Sequence, residues 1–468
     1  MLEPKVWQLT AGSVVVGMAL AAAAVAAAGP WDSGQRRAER EWAVAQSRTG
    51  GAHHGPSAPR TPAPAPSAAG VLSELSAPGA APPNAGTASV DLRKKLGPLL
   101  DDPALGRARS ASVIDVATGE PLYGRAAGTP MTPASTVKIA TMAAALSALG
   151  PDHRIATTVT STPDARRITL VGGGDATLGR AGLRALADDT ARALRDRGVT
   201  KVEFRYDTSL YSGRREHPIG PNDNIAPVVA LMADQGRLNT SRSGPAPRSG
   251  DPAGDAARFF AGLLRERGIR TSAPPPPEPG KPPKGSETVA RTYSRPLSDL
   301  VERALTESDN DIAESLARQT AIAAREPASF EGAGRAVGAE LKKLGLPVTG
   351  ARFADGSGLN RQGRVSAALL TALLARAADP ARPELRPVLT GLPVAGFNGT
   401  LRGRYADAGP AAGLIRAKTG TLTGVNALAG TVVDARGRLL AFAFMAGSTP
   451  APGTAQKALD RLSAALVP

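Results

Sequence analysis

The chain contains no cysteine. That removes a thiol nucleophile, a disulfide framework, iron–sulfur clusters and cysteine-ligated zinc from consideration. Histidine is scarce as well: there are four, and His53 and His54 sit in a low-complexity stretch. A serine–histidine enzyme would have to rely on His153 or His217, and a multi-histidine metal site has too few ligands to form. No metal and no cofactor is therefore expected. Aromatic residues make up only 3% of the chain, and the basic side chains, 56 against 41 acidic ones, are scattered. Nucleic-acid binding usually needs clustered Lys and Arg with aromatics to stack on, so no nucleic-acid partner is expected. The net charge of +15 reads as a generally basic surface, at home beside an anionic lipid or cell wall.

What is present divides the 468 residues into stretches of different texture. Val6 to Trp31 carries no charge, and about 20 apolar residues suffice to cross a bilayer as a helix. Ala26-Ala27-Ala28 supplies the small residues that signal peptidases cut after. Residues 1–31 are thus read as a signal peptide or membrane anchor. Residues 32–90 follow as a Pro/Ala-rich linker, with Pro56, Pro59, Pro62, Pro64 and Pro66 among Ala, Ser and Gly. Such a segment stays extended and solvated. Anchor, spacer and basic body together predict an extracytoplasmic protein on the cell-wall side, membrane-anchored or secreted.

Globular patterning begins near Asp91. Leu92, Leu96 and Leu99-Leu100 recur at helical spacing, and Ser110–Val116 with Pro121–Tyr123 reads as a hairpin. Pro133 then opens a long apolar helix that stops at Gly150. This is the first part of the main globular domain, residues 91–151, catalytic if the motifs that follow act together. In residues 152–285, strand-like runs (Arg167–Val171, Lys201–Tyr206) alternate with amphipathic helices (Ala181–Arg197, Ala253–Arg267), the texture of an inserted α/β accessory subdomain. Residues 286–468 form the second catalytic part. Helices are expected at Leu297–Leu305 and Ile312–Ala324, strands at Leu414–Thr419, Ala427–Val433 and Leu439–Met445, and a final helix from Pro452 to Leu466.

Three short patterns occur in chain order: Ser135-Thr136-Val137-Lys138, Ser308-Asp309-Asn310 and Lys418-Thr419-Gly420. Each is common by itself; the conjunction, on suitable elements, carries the argument. A serine hydroxyl is a weak nucleophile until a base takes its proton. With histidine scarce, Lys138 is the candidate base, because residues i and i+3 share a helix face. At the helix start, unpaired N–H groups and the positive dipole end favour developing negative charge at Ser135. A lysine with an ordinary pKa of about 10 is protonated at neutral pH, so Lys138 needs burial, helped by a second cation such as Lys418, to become a base. Ser308 lies between two helices, placed to relay a proton between Lys138 and the leaving group. The Asn310 amide can donate to a substrate amide and brace the lysine, and an ordinary helix cap is compatible with the same pattern. Lys418 adds positive charge for a carboxylate-bearing substrate. Gly420 removes side-chain bulk so that a substrate backbone can lie along the strand edge. The Thr421 N–H is a candidate to join that of Ser135 as an oxyanion hole, where each donor is worth about 3–4 kcal/mol.

This trio is the signature of β-lactamases and penicillin-binding proteins. The chain resembles one branch in particular, the D-alanyl-D-alanine carboxypeptidase/endopeptidase family of class C low-molecular-mass penicillin-binding proteins (peptidase S13). Thr132-Pro133-Ala134-Ser135, Gly172-Gly173-Gly174-Asp175, Tyr206-Asp207-Thr208-Ser209-Leu210, Asp355-Gly356-Ser357-Gly358-Leu359 and Ala417-Lys418-Thr419-Gly420-Thr421-Leu422 carry the resemblance from about Asp91 to the end. It implies an α+β fold: a β-lactamase/transpeptidase-like five-stranded antiparallel sheet flanked by helices, with the inserted subdomain. It also implies roles: Ser135, Lys138 and Ser308 catalytic; Asn310, Lys418, Thr419, Gly420 and Thr421 substrate-binding; peptidoglycan stem peptides as substrate and β-lactams as covalent inhibitors. Two features depart from the family. Asn398, in Gly396-Phe397-Asn398-Gly399-Thr400, stands where aspartate is common, and the insertion is shorter than in the larger members, which favours carboxypeptidase over endopeptidase activity.

Two alternatives remain at this level. A β-lactamase-like hydrolase needs a further base for its deacylating water, and no Glu-x-x-Leu-Asn element occurs between Ser308 and Lys418. A non-catalytic wall-binding or β-lactam-sensing module would have no reason to keep all three motifs intact.

Overall fold

The computed structural model describes residues 85–271, 278–406 and 409–467. The uncharged run 6–31 and the linker up to residue 84 lie outside the described residues. In chain order, α1 (Ala85–Leu100) leads to the hairpin of β1 (Ala108–Asp115) and β2 (Pro121–Arg125), then α2 (Val137–Leu149). β3 (Ala156–Ser161), β4 (Arg167–Val171), α3 (Arg180–Arg195) and β5 (Lys201–Asp207) follow. After α4 (Pro252–Glu266) come three strands: β6 (Arg270–Thr271), β7 (Glu278–Pro279) and β8 (Glu287–Tyr293). Four helices succeed them: α5 (Leu297–Thr306), α6 (Asn310–Ala323), α7 (Phe330–Lys343) and α8 (Ala367–Ala378). The chain closes with β9 (Arg416–Leu422), β10 (Val425–Val433), β11 (Leu439–Gly447) and α9 (Pro452–Ala464). Among the described residues, no helix is long and apolar enough to cross a membrane.

The expected five-stranded antiparallel sheet is present, in the order β2-β1-β11-β10-β9. Its two central strands, β10 and β11, are buried along almost their whole length, which requires cover on both faces. Side chains alternate between faces along a strand, and the sequence is sorted accordingly. Leu428, Val432, Leu440, Phe442 and Phe444 pack with Leu96 and Leu100 of α1 and Leu459 and Leu462 of α9. Ala427, Ala429, Ala441 and Ala443 share the other core with α2 and α8, where small side chains let the helices approach closely. α2 is apolar almost all round and buried over ten residues, as a helix between a sheet and other helices must be. Lys138 is the anomaly on it.

A second sheet, in the order β6-β5-β4-β3-β8 with β7 also on β5, lies wholly within residues 156–293. It is mixed: β4 and β5 run parallel, joined through α3, whereas β3 pairs antiparallel with β4 and β8. Leu183, Leu186 and Leu194 of α3 and Phe260 and Leu264 of α4 cover it, packed with Ile168, Leu170 and Phe204. Two expected limits shift. The linker was expected to run to residue 90, but α1 begins at Ala85; no proline interrupts the chain between Pro83 and Pro98, so the helix docked by Leu96 and Leu100 propagates backward. The insertion was expected to end at 285, but β8 pairs with β3 over Ala156–Ser161, so the sheet closes only at Tyr293.

Candidate active site

Ser135 sits in a single 3-10 turn, Ala134–Thr136, that leads directly into α2. The turn is held in an unusual shape: Ala134 has a φ of 46°, a left-handed conformation that costs an alanine energy and is found where function demands it. Two glycines make room for it. A Cβ on Gly420 of β9 would lie 2.7 Å from the Pro133 carbonyl oxygen, and one on Gly358, itself at a φ of 84°, would lie 2.0 Å from the Ala134 carbonyl oxygen. The missing side chain of Gly420 thus also admits the nucleophile's own turn.

One helical turn on, the Lys138 Nζ lies 3.1 Å from Ser135 Oγ, 2.7 Å from Asn310 Oδ1 and 2.7 Å from the Ser357 carbonyl oxygen. The lysine is fully buried. Burial pushes its pKa down from 10.5 to about 8, against the carboxylates of Asp355, Glu314, Asp309 and Asp311, which favour the cation. Two of its three partners are acceptors only. A neutral amine has two N–H groups and one lone pair, so Asn310 and Ser357 take the hydrogens and the lone pair is left facing the Ser135 hydroxyl. The amide of Asn310 is itself oriented, because its Nδ2 donates to the Asn224 carbonyl oxygen at 3.0 Å.

Ser308 lies in the bend between α5 and α6, at a φ of 56°. Asp309 caps α6 by accepting from the Ile312 N–H at 3.1 Å, so the helix-cap role and the site role coexist. Lys418 of β9 is fully buried and donates to Ser308 Oγ and to the Thr419 carbonyl oxygen, each at 2.9 Å. Its pKa is pushed well down, by burial first and by the charge of Lys138 second. One expectation is thereby revised. Ser308 is bonded to Lys418, not to Lys138, whose three contacts are already taken. Burial is the main cause of the lowering at both lysines, and their like charges repel each other. Thr419 donates to Thr400 Oγ1 at 2.9 Å, and Thr421 accepts from Gln456 Nε2 at 3.3 Å. Ser135, Ser308, Asn310 and Thr421 line one cleft of about 250 Å³, with both lysines beneath its floor. Asn398 accepts from the Val394 N–H at 2.7 Å, an acceptor role that an aspartate would fill equally.

Sequence reasoning missed how far the inserted region builds this wall. The Ala226 N–H and Arg248 hold Asp311, at 3.0 and 2.7 Å, and Gln235 donates to Asp309 at 2.7 Å. Asp311 is pushed up to about 6 by burial and by neighbouring Asp309. These partners lie 63 to 85 positions away in sequence, and no local pattern announces them.

An antiparallel five-stranded sheet, a buried helix carrying Ser-x-x-Lys, and a β9 edge carrying Lys-Thr-Gly define the β-lactamase/transpeptidase-like class. Within it, the chain belongs to the D-Ala-D-Ala carboxypeptidase 3 (S13) family, whose pattern it matches over residues 92–247 and 243–466. It is 39% identical over 426 residues to a carboxypeptidase, DacB, of Mycolicibacterium smegmatis, covering 87% of this chain and 89% of that one. It is 29% identical to a D-alanyl-D-alanine carboxypeptidase of an Actinomadura species, over 80% and 84% of the two chains. Among solved structures, penicillin binding protein 4 from Haemophilus influenzae shares the fold, with a TM-score of 0.66 at 24% identity, covering 80% of this chain and 97% of that one.

Proposed function

We propose that the chain is a serine-type D-Ala-D-Ala carboxypeptidase that trims peptidoglycan stem peptides through an acyl-enzyme and is trapped by β-lactams. The neutral Lys138 amine takes the proton of Ser135 as the oxygen attacks the carbonyl of the penultimate D-Ala. The N–H groups of Ser135 and Thr421 receive the oxyanion. Lys418 and Thr419 hold the terminal carboxylate, and the proton taken up by Lys138 passes through the Ser308 hydroxyl to the departing D-Ala nitrogen, which leaves Lys138 neutral again for the water step. Water then releases the shortened stem from Ser135. The names of the relatives support this reading. The observation that carries it is the fully buried Lys138 amine, 3.1 Å from Ser135 Oγ and bracketed by two acceptors. Substrate in the cell wall makes the protein extracytoplasmic, with residues 1–31 as the export segment, cleaved or kept as an anchor. The catalytic body comprises 85–151 and 294–468, with 152–293 inserted.

The test is intact-mass measurement after benzylpenicillin, with peptide mapping, beside D-Ala release from a stem pentapeptide. One penicilloyl group on Ser135, lost in Ser135→Ala, together with D-Ala release is the expected result. Labelling that persists in Ser135→Ala overturns the site; binding without any D-Ala release leaves a sensing module. Rapid nitrocefin turnover would make it a β-lactamase.

A further inference from the structure

Of the two histidines left available by the sequence, His217 is buried deep behind the nucleophile, 2% exposed. Its Nε2 lies 2.9 Å from Asp355 Oδ2, and its Nδ1 accepts from the Ile219 N–H at 3.3 Å. That pair of contacts places a proton on Nε2, so the ring donates to Asp355. Asp355 is then fully engaged. Oδ2 also accepts from Ser357 Oγ at 3.0 Å and the Asn360 N–H at 2.8 Å, and Oδ1 accepts from the Gly358 N–H at 3.0 Å. From the other side, Glu314 Oε1 accepts from the N–H groups of Gly356 and Ser357, at 3.0 and 2.9 Å. The loop so fastened is the one whose Ser357 carbonyl accepts from Lys138.

We propose that His217, acting through Asp355 and alongside Glu314, is a positioning residue for the base: it fixes the Ser357 carbonyl that aims the Lys138 lone pair and tempers the carboxylate charge that the amine feels. The inference rests on the acyl-enzyme reading above. His217 belongs to the inserted segment, so the insertion reaches the loop that holds the base as well as the outer wall.

The same three side chains offer ligand atoms within 4.8 Å of one another, but a metal ion fits them poorly. Both ring nitrogens of His217 are used, and Asp355 Oδ2 already receives three donors. Glu314 Oε2 is buried without a hydrogen-bond partner. Burial and the charge of Asp355 push Glu314 upward, toward the protonated form that a partnerless buried oxygen favours. Among the carboxylates around Lys138, Asp355 favours its cation most. Glu314 and Asp311 of α6 and its cap Asp309 face the amine from one side, and Lys418 faces it from β9. Arg318, further along α6, sits near Glu314 with its guanidinium over the Phe330 ring at 4.5 Å. The N–H of His217 draws charge on Asp355 away from Lys138. Without it, more of that charge stabilises the ammonium, and the base becomes available only at higher pH.

The test follows acylation by benzylpenicillin from acid to alkaline pH. His217→Phe keeps the ring's bulk and its edge contact with Phe330, now 5.4 Å between centroids, but has no donor; His217→Gln restores an N–H. The Phe variant is expected to acylate about tenfold more slowly on its plateau, with its acidic limb moved up by about half a pH unit, and the Gln variant to recover most of both. A merely structural histidine would lower the plateau and leave the limb in place. Ser357→Ala, which deletes a hydroxyl that donates to Asp355 and accepts weakly from the Leu359 N–H, is expected to move the limb the same way by less, and it serves should the Phe variant not fold. Limbs that coincide with wild type in every folded variant overturn the inference alone. A wild-type chain that takes up no penicilloyl mass overturns the function and the inference with it.

Discussion

At the scale of single residues, the site turns on an amine that is an ammonium in water and a base in the interior. The pKa of Lys138 falls to about 8 because burial outweighs four carboxylates that favour the cation. Only the neutral form has a lone pair for Ser135, so acylation is expected to rise with pH through about 8 and level off above it. Lys138→Met, of similar length but without an amine, should acylate at least about a hundredfold more slowly and lose that limb. Penicillin labelling rates across pH check both. Ser135, Lys138, Ser308, Asn310 and Lys418 were legible because each motif is local, with the i,i+3 spacing alone bringing nucleophile and base together. The Ser357 carbonyl was not, since a backbone acceptor leaves no mark in a sequence. His217 and Asp355, 138 positions apart, are joined only by the fold.

Elements set the nucleophile's position through contact of backbone with backbone. The Ala134–Thr136 turn is pressed between β9 at Gly420 and the loop at Gly358. Gly358→Ala meets both a positive φ and a carbonyl at 2.0 Å, so it should cost about 2 kcal/mol or more of stability and displace Ser135. Gly420→Ala has an ordinary φ but a carbonyl at 2.7 Å; it should slow acylation while lowering the melting temperature less. Calorimetry beside penicillin labelling separates the two, and equal losses in both would refute the ordering. Elements with strong signals were readable: α2 with its Gly150 stop, the β10–β11 pair, and β4, found at Arg167–Val171 as expected. β3 and β8 were not. Threonine-rich Ala156–Ser161 and charged Glu287–Tyr293 show little apolar run, and their pairing spans the whole insertion. α7 carries three glycines, and α8 is too uniformly apolar to show a helical face.

For the molecule as a whole, the site is a burden on stability, and its pH dependence should show this. Asp311, raised from 3.8 to about 6, holds a proton in the folded chain between those values that the unfolded chain has lost, so its contribution falls as pH rises through that window. Lys138 works in the opposite direction. Its folded pKa of about 8 lies below the ordinary 10.5, so between these values the unfolded chain keeps a proton that the folded chain has released, and raising the pH favours the fold. Between about pH 6 and about pH 8 both groups are charged in the interior, and in that range their burial costs most. Chemical denaturation of wild type and Lys138→Met isolates the lysine. The stability of wild type minus that of the variant should grow by about 3 kcal/mol as pH rises from below 8 to above 10.5. A difference that stays flat across that range would mean that the amine is not held as a buried, depressed base, and the account of how Ser135 loses its proton would fall with it.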